Sequence, residues 1–566
     1  FTGTSGQAII SISSAYLITN SRYQSQVKEQ LDSNWTLIET GGVGGTKDWV
    51  EWLVLHAKGN RIGIDARMIS HEKAALLNSK LPSLDSKLLY PPRNLIDSIW
   101  KDKRASSKAP IHVESYESTG MEATEKLRKL WEWIQQQPPT YTESTPKPSD
   151  LQVGTLITAL PSVAYLLNLR GSDIPFRPFF HAYLFVGLES AIIFLDSSQV
   201  VGETLDYIKS LGVECQDYNE IWSFLRRKSW GEGKLLITPQ MSYAISLMLS
   251  PHHYTLAPPF VEMMMSVKND RELIGLRKAH IRDGASFVRF LAWLEIQLSE
   301  GNNISEDQAA SRLTEFRRGG KHFIGLTYEP ISATGPNAAL PHYIPRIPTA
   351  RVIERDTPYL NESGGVYRDG TCNTARTVHF GQPSVEQCEA FTRVLQSHIA
   401  TDRLVFTEGT SGHRLNDLAY QVLWKDGLKY VHRSKVGPRP SLVIHEGPQN
   451  FSGHVLLVPG HTIINEPGYY IEGKWGMRIG STLAVHRMET KGDVNGSASL
   501  RFERLTCVPI QTRMINASML TKNEKQWVKD HNQRCLERLA PLVEADVWTL
   551  RWLKREAECG IRLASG

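Results

Sequence analysis

Four segments in the C-terminal half of the chain gather side chains that can do chemistry. They are Gly335-Pro-Asn-Ala-Ala-Leu-Pro-His-Tyr343, Tyr359 to Thr377, Val443-Ile-His-Glu-Gly-Pro448 and Asn465-Glu-Pro-Gly-Tyr-Tyr470. An imidazole titrates near neutrality and serves as general acid or base with no help from a metal, which makes the histidines of these segments candidates for moving protons. Cys372, next to Asn373, becomes a nucleophile only with a base beside it, and a buried inert thiol is the plainer reading. The loop from Arg433 to Pro440 carries Arg433 and Lys435. They are either two solvated charges, or one of them stands beside Glu466, Glu362 or an anionic substrate.

The elements around these segments are legible from periodicity. Lys268–Leu298 reads as a long amphipathic helix presenting Ile274, Leu276, Ala279, Ile281, Ala285, Val288 and Leu291. Glycine-rich strands and turns follow to about Ile510, and a charged helical tail spans Thr521–Glu558. Two smaller α/β units come first. In one, Gln7–Thr19 reads as a β-hairpin, Tyr23–Leu31 as a helix and Arg61–Ile64 as a strand. In the other, Met121–Gln137 is a helix with Leu127, Leu130, Trp131 and Ile134 on one face, and strands are expected at Leu156–Leu160, Ala182–Val186 and Ala191–Leu195. A polar, proline-rich stretch at 136–150 reads as a mobile surface insertion. The similar order of elements suggests a structural repeat. Three domains result, 1–107, 108–262 and 263–566.

Composition narrows the function. The 566 residues are 41% hydrophobic and 22% charged, ordinary for a globular chain able to bury several cores. A formal net charge of +5, from 64 basic and 59 acidic residues, is too balanced for a nucleic-acid or membrane footprint. No apolar run is long enough to span a bilayer. The six cysteines contain no C-x-x-C pair, which argues against a zinc finger or disulfide framework and for a reduced, cytoplasmic setting.

The four segments together resemble the eukaryotic cytosolic-type Xaa-Pro aminopeptidases, members of the pita-bread metallopeptidases. Asp32-Ser-Asn-Trp-Thr-Leu37, Asn168-Leu-Arg-Gly-Ser-Asp173, Lys278-Ala-His-Ile281 and Val508-Pro-Ile-Gln-Thr512 extend the resemblance over nearly the whole chain. It implies an α/β fold of three domains, two creatinase-type N-terminal domains and a C-terminal pita-bread α+β domain, with a homodimer formed through the last. It also implies a dinuclear metal site, usually manganese, held by two Asp, one His and two Glu. Hard carboxylate oxygens suit such cations, and a bridging hydroxide attacks the peptide carbonyl.

The matching positions depart from that pattern. The first Asp is replaced by Glu362 and the second by Asn373. The ligand histidine is replaced by Val436, in a loop whose glycines have become Arg433 and Lys435. Glu466 is retained, and the last Glu is replaced by Gly480. Arg376 and Arg478 stand as in the family. Two carboxylates and one amide are too few anionic donors for two divalent cations, which reads as loss of the metals with retention of the pocket. The family's further histidines are matched by His342, His445 and His432, and creatinase, which works without metal, relies on the position of His342.

The expectation is therefore an enzyme without a metal or other cofactor. It acts on a small amide- or amine-bearing or peptide-like substrate, by C–N hydrolysis, cyclisation or isomerisation, through His342, His445 and Glu466. Glu362, Asn373, His432, Arg433, Lys435, Val436 and Arg478 form its pocket. The alternatives are a non-catalytic pseudopeptidase that binds a peptide or protein partner, and a degraded Xaa-Pro aminopeptidase.

Overall fold

The computed structural model describes residues 1–3, 5–41, 45–103, 107–140, 147–424, 435–436, 454–489 and 498–558. Two compact units make up the chain, one of Gly6–Thr19 with Thr36–Met265, the other of Phe1–Ser5, Asn20–Trp35 and Ser266–Gly566.

In the N-terminal unit the expected hairpin forms, Gln7–Ile10 pairing antiparallel with Ala15–Asn20 and Gln7 opposite Ile18. The larger sheet runs from Val213–Asp217 through Ala191–Leu195, Ala182–Gly187, Gln152–Ile157 and Lys234–Ile237 to Tyr254–Leu256. Ala182–Gly187 is antiparallel to both neighbours, and the other pairs are parallel. Phe185, Phe194, Phe224, Leu235 and Ile237 fill its core. Helix Ala123–Gln135 buries Leu127, Leu130 and Ile134 as expected, while Trp131 is only half-buried. The strand expected at Leu156–Leu160 is displaced to Gln152–Ile157, and Leu160 opens a helix. Pro161 is the cause, because proline suits the first helical turn, where its missing N–H has no partner to lose. Within the proline-rich stretch, 141–146 lies outside the described residues, and its flanks meet where Thr140 N donates to Asp150 O at 3.0 Å.

The C-terminal unit is built on helix Asp270–Ser299. A reciprocal cap starts it, Glu272 N donating to Asn269 Oδ1 and Asn269 N to Glu272 Oε2, each at 3.0 Å. Leu276, Ala279, Ala285, Val288 and Leu291 are buried, but Ile274 is 47% exposed and lies off the core face. Gly284 allows close approach, since a Cβ there would fall 2.1 Å from the Cys507 carbonyl oxygen. Asp283 on this helix receives both Nε and Nη2 of Arg317, at 2.8 and 3.1 Å, and Arg317 Nη1 reaches Ser363 Oγ at 2.8 Å. This buried pair anchors helices Asp270–Ser299 and Glu306–Arg318 to the strand that carries Glu362.

That strand, Tyr359–Ser363, is the centre of an antiparallel sheet between Ile331–Thr334 and Thr374–Val378, with Glu362 opposite both Ile331 and Ala375. A five-stranded sheet runs Val405–Thr407, Ser499–Arg504, Ser481–Met488, Thr462–Asn465 and Lys435–Val436. A separate hairpin pairs Gly468–Ile471 with Trp475–Arg478. The sheets join at Ala375 and Gly480, where Gly480 N donates to Ala375 O at 2.9 Å and Ala375 N to Gly480 O at 3.3 Å. The tail folds as two helices, Lys522–Val543 and Val547–Glu558. Among the described residues no helix is long and apolar enough to cross a membrane.

Candidate functional site

Glu362 is the penultimate residue of its strand and is 3% exposed. Its carboxylate forms an ion pair with Arg478 Nη1, and Tyr328 Oη donates to its Oε1 at 3.3 Å. Asn373 lies just before strand Thr374–Val378. Its Oδ1 accepts from Tyr328 Oη, and its Nδ2 donates to Glu466 Oε1. Glu466 is fully buried in the turn between Thr462–Asn465 and Gly468–Ile471. Glu362 and Asn373 therefore meet Glu466 and Arg478 in one polar cluster, with Asn373 and Glu466 93 residues apart in sequence.

Arg478, also fully buried, organises the rim of this cluster. Its Nη2 donates to Pro341 O at 2.7 Å and its Nε to Tyr470 Oη at 2.6 Å. Burial pulls its pKa down to about 9, so the guanidinium remains a cation at neutral pH. The Pro341 contact holds the backbone next to His342, whose ring is half-buried and stacked on Tyr23 at 4.9 Å between centroids. Burial and then the Glu466 charge push the Tyr328 and Tyr470 hydroxyls well above their ordinary range, so both stay protonated. Cys372 is fully buried, and burial followed by the Asp283 charge raises its pKa well above the usual thiol value, which makes it an inert thiol.

His432, Arg433 and His445 lie outside the described residues. Lys435 and Val436 form a two-residue strand opposite Ile464 and Ile463. Tyr328 and Tyr470 are the site groups that sequence reasoning missed. Tyr470 falls inside the quoted Glu-Pro-Gly-Tyr-Tyr turn, whereas nothing in the spacing marks Tyr328, 34 residues ahead of Glu362.

A two-cation centre does not fit the residues that stand here. Glu362 is engaged by a guanidinium, and Asn373 offers a neutral amide already bonded on both sides. At Gly480 a side chain has no room, because a Cβ would fall 2.8 Å from Ala375 Cβ and 3.1 Å from Glu466 Cγ. Among the described residues no three His, Cys, Asp or Glu side chains are grouped to hold a metal ion.

Comparison with known proteins gives the family. Residues 1–97 and 102–272 each match the Creatinase/Prolidase N-terminal domain, 275–487 match Metallopeptidase family M24, and 498–559 match the C-terminal region of peptidase M24. The "Probable Xaa-Pro aminopeptidase P" of Coprinopsis cinerea is 37% identical, the match covering 98% of this chain and 90% of that protein. The protein of the same name from Laccaria bicolor is 36% identical over 98% of this chain and 86% of its own. Among solved structures, the X-prolyl aminopeptidase of Caenorhabditis elegans, described as a cytosolic enzyme with a dinuclear active site, superposes with a TM-score of 0.92. It is 29% identical, over 98% of this chain and 90% of that one. The Xaa-Pro dipeptidase of Bacillus anthracis shares the fold alone, at 21% identity and a TM-score of 0.52.

The three-domain α/β architecture expected from the sequence is met. The expected function is corrected. Metal-independent chemistry on a small amide or amine follows from the altered ligand positions and the retained histidines, yet relatives at 36–37% identity carry the name of a peptidase and the C. elegans enzyme has a dinuclear centre. Changed ligands argued only about the centre; likeness along the whole length bears on the substrate. The chain belongs to the Xaa-Pro aminopeptidase P family of the M24 metallopeptidases.

Proposed function

We propose that this chain acts on the amino end of peptides whose second residue is proline, as a slow aminopeptidase. The observation that carries the reading is the buried convergence of Glu362, Asn373, Glu466 and Arg478 on the family's fold. In this reading Glu466 and Glu362 receive the peptide's amino end. Arg478 faces Glu362 and holds the Pro341 backbone; a water molecule adds to the carbonyl carbon ahead of proline, and His342 takes that water's proton and returns it to the prolyl nitrogen as the C–N bond breaks. His445 and His432 remain proposed members of the pocket, with Arg433, Lys435 and Val436. The protein works in the cytosol, as the C. elegans enzyme does.

Changing an outer partner of a metal ligand already costs ~10–100-fold, so altered ligand positions imply turnover more than ~100-fold below that of a relative with a full set. The test incubates the purified chain with Xaa-Pro-Pro and Xaa-Ala-Pro tripeptides, with manganese or with chelator, and follows products by mass spectrometry. Loss of one N-terminal residue ahead of proline, and not ahead of alanine, is expected. Neither cleavage nor calorimetric binding of the prolyl peptide overturns the reading. Binding without cleavage favours a second reading, a peptide-holding protein, which the lack of space at Gly480 supports.

A further inference from the structure

We infer that Tyr328 is a positioning residue of this site, its hydroxyl linking Glu362 to Asn373 across the space where the family's ligand positions converge. Tyr328 lies between strands Phe323–Leu326 and Ile331–Thr334, on the chain that leads into the sheet of Glu362. Its hydroxyl has one proton and two acceptors, Glu362 Oε1 at 3.3 Å and Asn373 Oδ1. Asn373 then turns its Nδ2 to Glu466, so an unbroken run of hydrogen bonds joins the two carboxylates, Glu362–Tyr328–Asn373–Glu466. Arg478 closes the other side of Glu362.

This arrangement has a chemical consequence. A cation needs oxygen lone pairs directed at it, and Glu362 Oε1 and Asn373 Oδ1 share the proton of a single neutral donor. Asn373 matches the phenol because its carbonyl accepts from Tyr328 while its amide donates to Glu466. An aspartate could not make the second bond, and it would set two carboxylates against each other unless a cation lay between them. The hydroxyl and the amide therefore act as a pair that keeps Glu362 and Glu466 in register without a shared ion. Phenylalanine would fill the same space and supply no proton.

The role in turnover rests on the peptidase reading, and the role in excluding a cation does not, so the full chain is tested both ways. Manganese is titrated calorimetrically into Asn373→Asp and into Tyr328→Phe/Asn373→Asp. The double variant is expected to bind one ion about ten-fold more tightly or better, the scale of freeing a buried charged acceptor. Equal affinity in the two variants overturns the inference. If circular dichroism shows that the phenylalanine variant does not fold, Tyr328→Leu/Asn373→Asp carries the same expectation and the same refutation. On a prolyl tripeptide, Tyr328→Phe is expected to lower kcat roughly ten-fold with KM unchanged within about two-fold. A change confined to KM would make Tyr328 a substrate contact and overturn the positioning role. If the parent chain cleaves no prolyl peptide, the peptidase reading fails while the manganese titration still decides on Tyr328.

Discussion

Arg478→Met removes the cation that faces Glu362 and keeps a side chain of similar reach. Both partners are buried, the arginine fully and the glutamate to 3% exposure, so water cannot screen the charge left behind. Deleting one member of such a pair costs about 3–5 kcal/mol, chiefly from the uncompensated ion. The bonds to Pro341 O and Tyr470 Oη go as well, at roughly 1 kcal/mol each, though terms sharing one side chain do not simply add. A loss of about 4–6 kcal/mol at pH 7 is expected. Urea unfolding followed by tryptophan fluorescence measures it, because Trp475 is buried in the hairpin that carries Arg478. Glu362→Gln removes the negative charge, so Glu362→Gln/Arg478→Met should recover about 2–3 kcal/mol relative to Arg478→Met alone. A cost under about 1 kcal/mol for Arg478→Met, or a double variant equal to the sum of the singles, would falsify the claim that charge pairing holds Glu362 in place.

Acid should weaken the C-terminal unit through two histidines. Burial holds His398 and His461 near a pKa of about 3, with the Lys268 charge adding to the effect at His461. Since an unfolded histidine titrates near 6.5, the unfolded state takes up protons that the folded state refuses, and stability falls from about pH 6.5 toward 3 by up to ~1.4 kcal/mol per pH unit for each. The urea midpoint should drop steadily between pH 7 and 5 and drop less in His398→Gln or His461→Gln; a flat profile in the parent chain refutes this. At Glu503, burial is outweighed by hydrogen bonds from His486 and Arg277, which bring the carboxyl to about 2. Its contribution is complete above the ordinary glutamate value and disappears as pH falls toward 2, so Glu503→Gln should destabilise at pH 7 and be neutral near pH 2. Gly480→Ala should cost about 1–3 kcal/mol through overpacking against Ala375, and Ala375→Gly should relieve it in the double variant. Gly480→Ala as stable as the parent would show that the space is open.

How much of this was legible in the sequence depended on the range of each interaction. The helix at Asp270–Ser299 was readable because its cap and its apolar period are local, yet Ile274 escaped the pattern, since the width of a helix's buried stripe is set by what packs on it. The strand expected at Leu156–Leu160 ran too far because Pro161 opens a helix whose first turn starts at Leu160. At the site, Glu362, Asn373, Glu466 and Gly480 could be aligned one by one from short motifs. What took the place of the expected donors could not be read, because Tyr328 comes from a different segment and its hydroxyl matters only once three strands have brought its acceptors together.

The substitutions at the site are mutually consistent in space. Asn373 donates its amide to Glu466 and accepts from Tyr328 at its carbonyl, the substituted Glu362 pairs with the retained Arg478, and Gly480 yields its volume to Ala375. Asn373 and Gly480 each fit a neighbour, so returning either to its family type removes a hydrogen bond to Glu466 or creates a clash with Ala375. A single Gly480→Glu change should therefore destabilise the fold before it offers a donor to any ion. Restoring the full two-cation set, beyond a single ion, requires Ala375 and Tyr328 to change together with Asn373 and the other positions that match the family's ligands.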